Sequence, residues 1–219
     1  MAVRLRYLIP AVLAATAFSV PAANAGLIGS GGLLGGITNL LSGNCANGGS
    51  QIFAPWLDFS NYILAPNGSF ELGSKGWSLS GGAGVVSGNE PFLPTGSHSL
   101  ALPSGSTAMS PTVCLGTKQL YIRFFGSDLG GTDSGLRVRV YWYGLLNQLL
   151  GHSDFAVFAP GGPWAPSGQI NSSGGLLAPL PVVALLSSSS ARIEITPLGS
   201  GSHWQIDDLY IDPSVMRFG

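Results

Sequence analysis

The chain has 219 residues, with nine Lys and Arg against ten Asp and Glu, 33 Gly, 15 Pro and two Cys; 45% of it is apolar and 9% charged. That length fits one domain, or one domain with an appendage, and the apolar content suffices for a core, which excludes wholesale disorder. A formal charge of −1 without any run of Lys or Arg excludes the dense cationic footprint that nucleic acid requires.

Met1 to Ala25 reads as a secretory signal peptide. Arg4 and Arg6 form its charged start, Leu8 to Val20 its apolar stretch, and Ala23-Asn24-Ala25 a small-x-small cleavage site. Export is therefore expected, with a secreted, extracellular mature chain. The other apolar run, Leu176 to Leu186, holds Pro179 and Pro181 and is too short to span a bilayer. No membrane span is expected after signal removal. In an oxidising compartment Cys45 and Cys114 most simply pair with each other. Closing that loop contributes about 4 kcal/mol in the chain-entropy model.

Residues 26–50 are dominated by Gly with scattered Leu and Ile, and backbone entropy makes such a segment a flexible lead. From residue 51 to 213 short alternating runs are broken by Gly, Pro, Ser and Asn, the pattern of an all-β sandwich of two antiparallel sheets. Strands are expected at 69–71, 83–87, 97–102, 107–115, 119–125, 136–143, 146–150, 156–158, 191–197 and 204–212, with residues 214–219 as a tail. Alternation is clearest in two of them. Leu120, Ile122 and Phe124 oppose Tyr121, Arg123 and Phe125; Leu136, Val138, Val140 and Trp142 oppose Arg137, Arg139, Tyr141 and Tyr143. The aliphatic faces should pack between the sheets.

The segment Asn67-Gly68-Ser69-Phe70-Glu71 followed by Gly76-Trp77, the run Gly96-Ser97-His98-Ser99-Leu100, and the close Trp204-Gln205-Ile206-Asp207-Asp208-Leu209 occur in that order and bracket most of the domain. Together they resemble the opening, middle and terminal motifs of carbohydrate-binding modules with the galactose-binding-like jelly-roll fold. The pattern as a whole also resembles secreted proteins of actinobacteria. The resemblance implies a jelly-roll sandwich and, in many of its members, a structural calcium ion between the opening and closing strands. Glu71 and Asp208 match the family's carboxylate positions, with carbonyls near Asn67 and Ser69 as further oxygens; calcium takes six to eight such ligands. Asp207 is the alternative to Asp208, since strand alternation lets only one of the pair face a given site. The competing reading is that these acids cap turns or lie in water.

Such modules bind sugars by stacking pyranose rings on aromatic faces. The candidate face carries Tyr121, Arg123, Arg137, Arg139, Tyr141 and Tyr143; its alternative is a solvated sheet with Arg stems covering apolar surface and pairing with Glu194 or Asp residues. Trp77 and Trp204 belong to motifs and to the core, while Trp56 and Trp164 fit either packing or a binding rim. Catalytic signatures are missing from the sequence: it has no G-x-S-x-G elbow, no H-E-x-x-H and no P-loop, and His98, His152 and His203 stand apart. Glu90 and Asp154 are the carboxylates left without a structural reading for a glycosidase pair. The sequence thus points to a secreted, non-catalytic domain that binds a glycan of the cell envelope or extracellular matrix. The alternatives are a structural or adhesive surface protein that contacts another protein and, third, a weak carbohydrate-active enzyme of the same fold.

Overall fold

The computed structural model describes residues 49–115, 120–130, 134–144, 146–157, 162–171 and 188–212. The expected signal segment, the lead as far as residue 48 with Cys45, the run 176–186 and the tail 214–219 lie outside the described residues. A 3-10 helix at Ala54–Trp56 precedes the strands β1 (Ile63–Leu64), β2 (Ser78–Ser80), β3 (Gly84–Ser87), β4 (His98–Pro103), β5 (Thr107–Met109), β6 (Val113–Cys114), β7 (Tyr121–Asp128), β8 (Gly135–Gly144), β9 (Leu149–Val157), β10 (Gly162–Pro166), β11 (Ile170–Asn171), β12 (Ser188–Leu198) and β13 (His203–Asp212). One sheet runs β10-β7-β13-β4-β3, with β1 joined to β13 and β11 to β7; the other runs β2-β5-β12-β8-β9, with β6 joined to β12. All pairs are antiparallel. The chain crosses between the sheets repeatedly, giving the expected all-β jelly-roll sandwich. No described helix is long and apolar enough to cross a membrane.

The period-two pattern builds the core. Ile122 and Phe124 of β7, Leu136, Val138, Val140 and Trp142 of β8, Ala191, Ile193 and Ile195 of β12, and Trp204, Ile206, Leu209 and Ile211 of β13 share one buried cluster between the sheets. Trp77 and Phe70 join it, their ring centroids 5.0 Å apart.

Local chemistry redraws several expected strands. Residues 107–115 split into β5 and β6 because Pro111 has no N–H to give the ladder. At that break Ser110 folds onto β12: its N–H donates to the Ile193 carbonyl, and its Oγ accepts from the Ile193 N–H. Of the expected strands 146–150 and 156–158, residues 149–150 and 156–157 belong to the single strand β9, while residue 158 lies outside the described residues. Gly151 and Ser153 had hidden that continuity in sequence, yet they suit it, since Gly151 faces Trp142 across the ladder and Ser153 Oγ accepts from Trp142 Nε1 at 3.2 Å. Residues 69–71 form a turn rather than a strand, with Asn67 and Phe70 at positive φ.

A second, smaller core lies on the outer face of the seven-stranded sheet. Residues 50–62 form a strap, closed by a Ser50–Tyr62 bridge, that lays Phe53 and Tyr62 over Phe125 and Tyr210. Trp56 packs edge-on to Phe92 and Phe125, and Trp164 also adjoins this cluster, so both indoles serve packing. Beneath the strap Arg123 is buried. Its Nη1 donates to Asp58 Oδ2 at 2.9 Å, its Nε to the Ser167 carbonyl at 2.9 Å, and its guanidinium carbon sits 4.1 Å from the Phe53 ring centroid. Tyr62 Oη and the Ser60 N–H also donate to Asp58.

Burial alone would raise the Asp58 carboxyl, but the hydrogen bonds from Tyr62, Ser60 and Arg123 outweigh it and hold the group below its ordinary value. A carboxyl lowered by folding contributes stability above the ordinary carboxylate range and loses it as pH falls through the folded value. Breaking one partner of a buried ion pair leaves the other charge uncompensated, so Asp58→Ala should cost about 3 kcal/mol at pH 7. Urea unfolding at pH 7 and pH 3 checks this, with the gap between wild type and Asp58→Ala narrowing at the lower pH.

Candidate functional site

The opening and closing sequence motifs meet in space at one irregularity of β13. Between Asp207 and Tyr210 the register against β7 shifts, and Asp208 adopts a positive φ of 48°. Two residues therefore separate the inward-facing Ile206 and Leu209, and both aspartates are buried on the outer side, where strict alternation would have allowed only one. The opening motif is stitched onto this bulge: the Leu209 N–H donates to the Gly68 carbonyl at 3.0 Å, and the Ala65 N–H to the Leu209 carbonyl at 2.8 Å. Gly68 is demanded there, because a Cβ would stand 2.6 Å from the Leu209 oxygen.

A cavity of about 340 Å3 opens beside the bulge, lined in part by Ser69, Glu71, Ser97, Asp208 and Tyr210. Burial, then the charges of Glu90 and Glu71, push the Asp208 carboxyl up to about 7. Burial and the Asp208 charge push Asp207 up to about 8, although the N–H groups of Asp208 and Glu90 donate to it. The Asp208 carboxylate accepts no hydrogen bond from a described residue that would compensate it. Glu71 differs: N–H and Oγ of Ser97 and N–H and Nδ1 of His98 all meet it, and these bonds, the Ser97 N–H first, hold its carboxyl down at about 2. Four donors use its lone-pair sites. Glu71 thus clamps the start of β4. Asn67 is also committed, its side chain bonding Gly73, Lys75 and Leu72 and its carbonyl accepting from Trp77 Nε1.

No three described His, Cys, Asp or Glu side chains converge as a metal cluster. The pocket nevertheless suits a hard cation in charge and ligand type, since the buried, uncompensated Asp208 carboxylate, with Glu71 and Glu90 beside it, meets Ser69 and a cavity.

The six residues expected on one sugar-binding face separate onto opposite sides of the sandwich. Tyr121 and Arg123 belong to β7 and lie against the strap; Arg123 is buried and spent on Asp58 and Ser167, which corrects its expected role as a ligand contact. Arg137, Arg139, Tyr141 and Tyr143 share the outer face of the six-stranded sheet and stay half-buried. Across the ladder Glu194, Arg139 and Asp154 form one row and Arg192, Tyr141 and His152 the next. Arg139 holds Asp154 with both Nε and Nη2, the latter at 2.6 Å, and Arg137 approaches Glu194 at 3.5 Å. The Asp154 contact raises the Arg139 guanidinium and lowers the carboxyl. Tyr141 Oη donates to Glu194 at 3.3 Å, and its ring lies 5.8 Å from that of His152.

Sequence reading missed Arg192 and His152 as members of this face. Only the register of β12 and β9 against β8 reveals them. The two leftover carboxylates are separated as well. Glu90 is buried beside Asp207 and caps the N–H groups of Phe92 and Leu93, whereas Asp154 lies on the opposite face, so they cannot flank one glycosidic bond.

No protein-family model and no curated protein sequence matches the chain. Among solved structures it is similar to a family 61 carbohydrate-binding module in complex with β-1,4-galactotriose, at 17% identity and a TM-score of 0.47, covering 68% of this chain and 97% of that one. It is also similar to a xylan-binding family 22 module from Paenibacillus barcinonensis, at 16% identity and a TM-score of 0.40, covering 69% and 94%. An arabinose-bound α-L-arabinofuranosidase aligns at 12% identity and a TM-score of 0.45, covering 70% of this chain but 26% of the enzyme.

Gly68→Ala tests the stitch between the two motifs. Its methyl must displace backbone, and the expected cost is about 2 kcal/mol, in the range of overpacked sites. Thermal unfolding measures it; an unchanged melting temperature would mean the stitch is not tight in solution.

Proposed function

We propose that this chain is an exported, non-catalytic glycan-binding domain whose sugar lies on the outer face of the six-stranded sheet, across Tyr141 and Tyr143. The observation that carries the reading is the asymmetry of the two outer faces. The strap fills one with its own aromatic residues, whereas the other leaves tyrosines between fixed guanidinium and carboxylate groups, half-exposed. Aromatic rings offer a pyranose its stacking surface, and paired charges at fixed spacing offer its hydroxyls donors and acceptors. The order of the opening and closing motifs supports the same reading. In this proposal Tyr121 and Arg123 hold the strap and take no part in binding. Exposed Leu57 and Phe59, at 83% and 62% relative exposure, favour a second reading in which the strap contacts another protein.

We further propose a structural calcium ion at Asp208, with Ser69 and nearby carbonyls as additional oxygens and Glu71 as the adjoining carboxylate. Bound there, the ion would supply the positive charge that the buried acids lack and tie the opening turn to β13. A disulfide between Cys45 and Cys114 completes the proposal. Cys114 pairs with Ser190, which pairs with Tyr143, so the bond would tether the lead at the edge of the binding face.

Tyr141→Ala should lower retention on a glycan array about tenfold, the scale of a lost stacking contact, with little change in melting temperature. A large melting shift would make Tyr141 a packing residue, and no retention of any sugar by the wild type would shift weight to protein contact. Excess calcium should raise the melting temperature relative to chelator, and Asp208→Ala should abolish that rise, since a ligand of the folded state stabilises by mass action. Metal analysis of the purified protein separates an empty site from one that the chelator cannot strip.

A further inference from the structure

Among the described residues, the charges of the proposed binding face do not cancel. Three guanidinium groups, Arg137, Arg139 and Arg192, share it with two carboxylates, Glu194 and Asp154. Arg139 is neutralised by Asp154 in a two-point contact, and Arg137 lies within ion-pair distance of Glu194. Arg192 has no described carboxylate within ion-pair distance. Its Nε donates to the Ser110 carbonyl at 2.9 Å, the acceptor freed where Pro111 interrupts the strand, which fixes the guanidinium plane and leaves its Nη groups without a described partner. The residue directly across the ladder is Tyr141, with His152 beyond it. The residue paired with Tyr141 thus carries a guanidinium without a described counterion, held by Ser110 on the side of β12 away from β8.

We propose that the glycan carries carboxylates: a uronic acid residue stacks on Tyr141 and presents its carboxylate to the Nη groups of Arg192. The inference rests on the glycan-binding reading above and adds the chemical class of the ligand. A planar guanidinium matches a carboxylate in a two-point contact, and the pair is worth more than a neutral hydrogen bond. A neutral sugar would leave this charge half-buried without a counterion.

Isothermal titration calorimetry of the whole secreted protein tests it with two probes of equal length, an oligogalacturonate and a neutral β-1,4-galactan oligomer. The oligogalacturonate should bind at least about tenfold more tightly, as expected for one charge-assisted contact, and its advantage should shrink with added salt. Arg192→Gln, which keeps a donor for Ser110, should bring the ratio of oligogalacturonate to galactan affinity towards one at an unchanged melting temperature; Arg192→Lys should restore part of that ratio. Equal affinities for the two probes, or an advantage that survives Arg192→Gln, would overturn the carboxylate assignment and leave the glycan reading standing. Tighter binding of a sulfated oligosaccharide than of the oligogalacturonate would also overturn it. Binding of none of the three would overturn the glycan reading itself.

Discussion

Arg123 brings its charge to the outer face of the seven-stranded sheet, and the strap lies where it does because Asp58, Phe53 and the Ser167 carbonyl meet that charge there. A guanidinium is costly to bury without a partner, so its position selects among the ways the strap might dock. Once the strap is fixed, its aromatic residues form a second core with Phe125 and Tyr210 and close that face. Among the described residues, Tyr141 and Tyr143 on the outer face of the other sheet remain half-buried. The ion pair thus commits Arg123 and Asp58 to holding the strap.

The same sheet carries the second constraint, the bulge at Asp207 and Asp208. A bulge adds a residue to one strand, re-aims side chains and interrupts pairing. Here it frees the Leu209 backbone from β7, and the opening motif takes it over through Gly68 and Ala65. It also buries two adjacent carboxylates with Glu90 close by, a destabilising arrangement that a cation would relieve. The sequence motifs at the two ends of the domain are therefore one structural unit: the glycine permits close backbone approach, Asn67 organises the turn and Glu71 secures β4.

Much of the fold was legible because burial follows period two. Residues 120–125 and 136–143 alternate so regularly that their inward faces could be read directly, and those faces join the core, whereas 204–212 carries a bulge at Asp207 and Asp208 that alternation does not encode. The short edge elements β10 and β2 were not legible. β10 carries Pro163 and Pro166, and β2 is three residues of Ser-Leu-Ser, so neither has a hydrophobic period to detect. The candidate face was half legible. Alternation shows which side of a strand a residue occupies relative to its own neighbours, but Tyr121 with Arg123 and Tyr141 with Arg139 look alike in sequence while belonging to opposite faces of the sandwich.

By itself the sequence determined the all-β class, the inward residues of the two most regular strands and the identity of the motifs at the domain's ends, because these depend on local periodicity and on residues such as Gly68, which lacks the Cβ that would bar a close backbone approach. Only the tertiary structure decided which aromatic and guanidinium groups share a surface, that Arg123 is enclosed while Arg192 stays half-buried, and that the adjacent Asp207 and Asp208 are both buried. Those outcomes depend on sheet assignment, cross-strand register and the docking of a distant segment. Each arises from contacts between residues far apart in the chain, which no local pattern encodes.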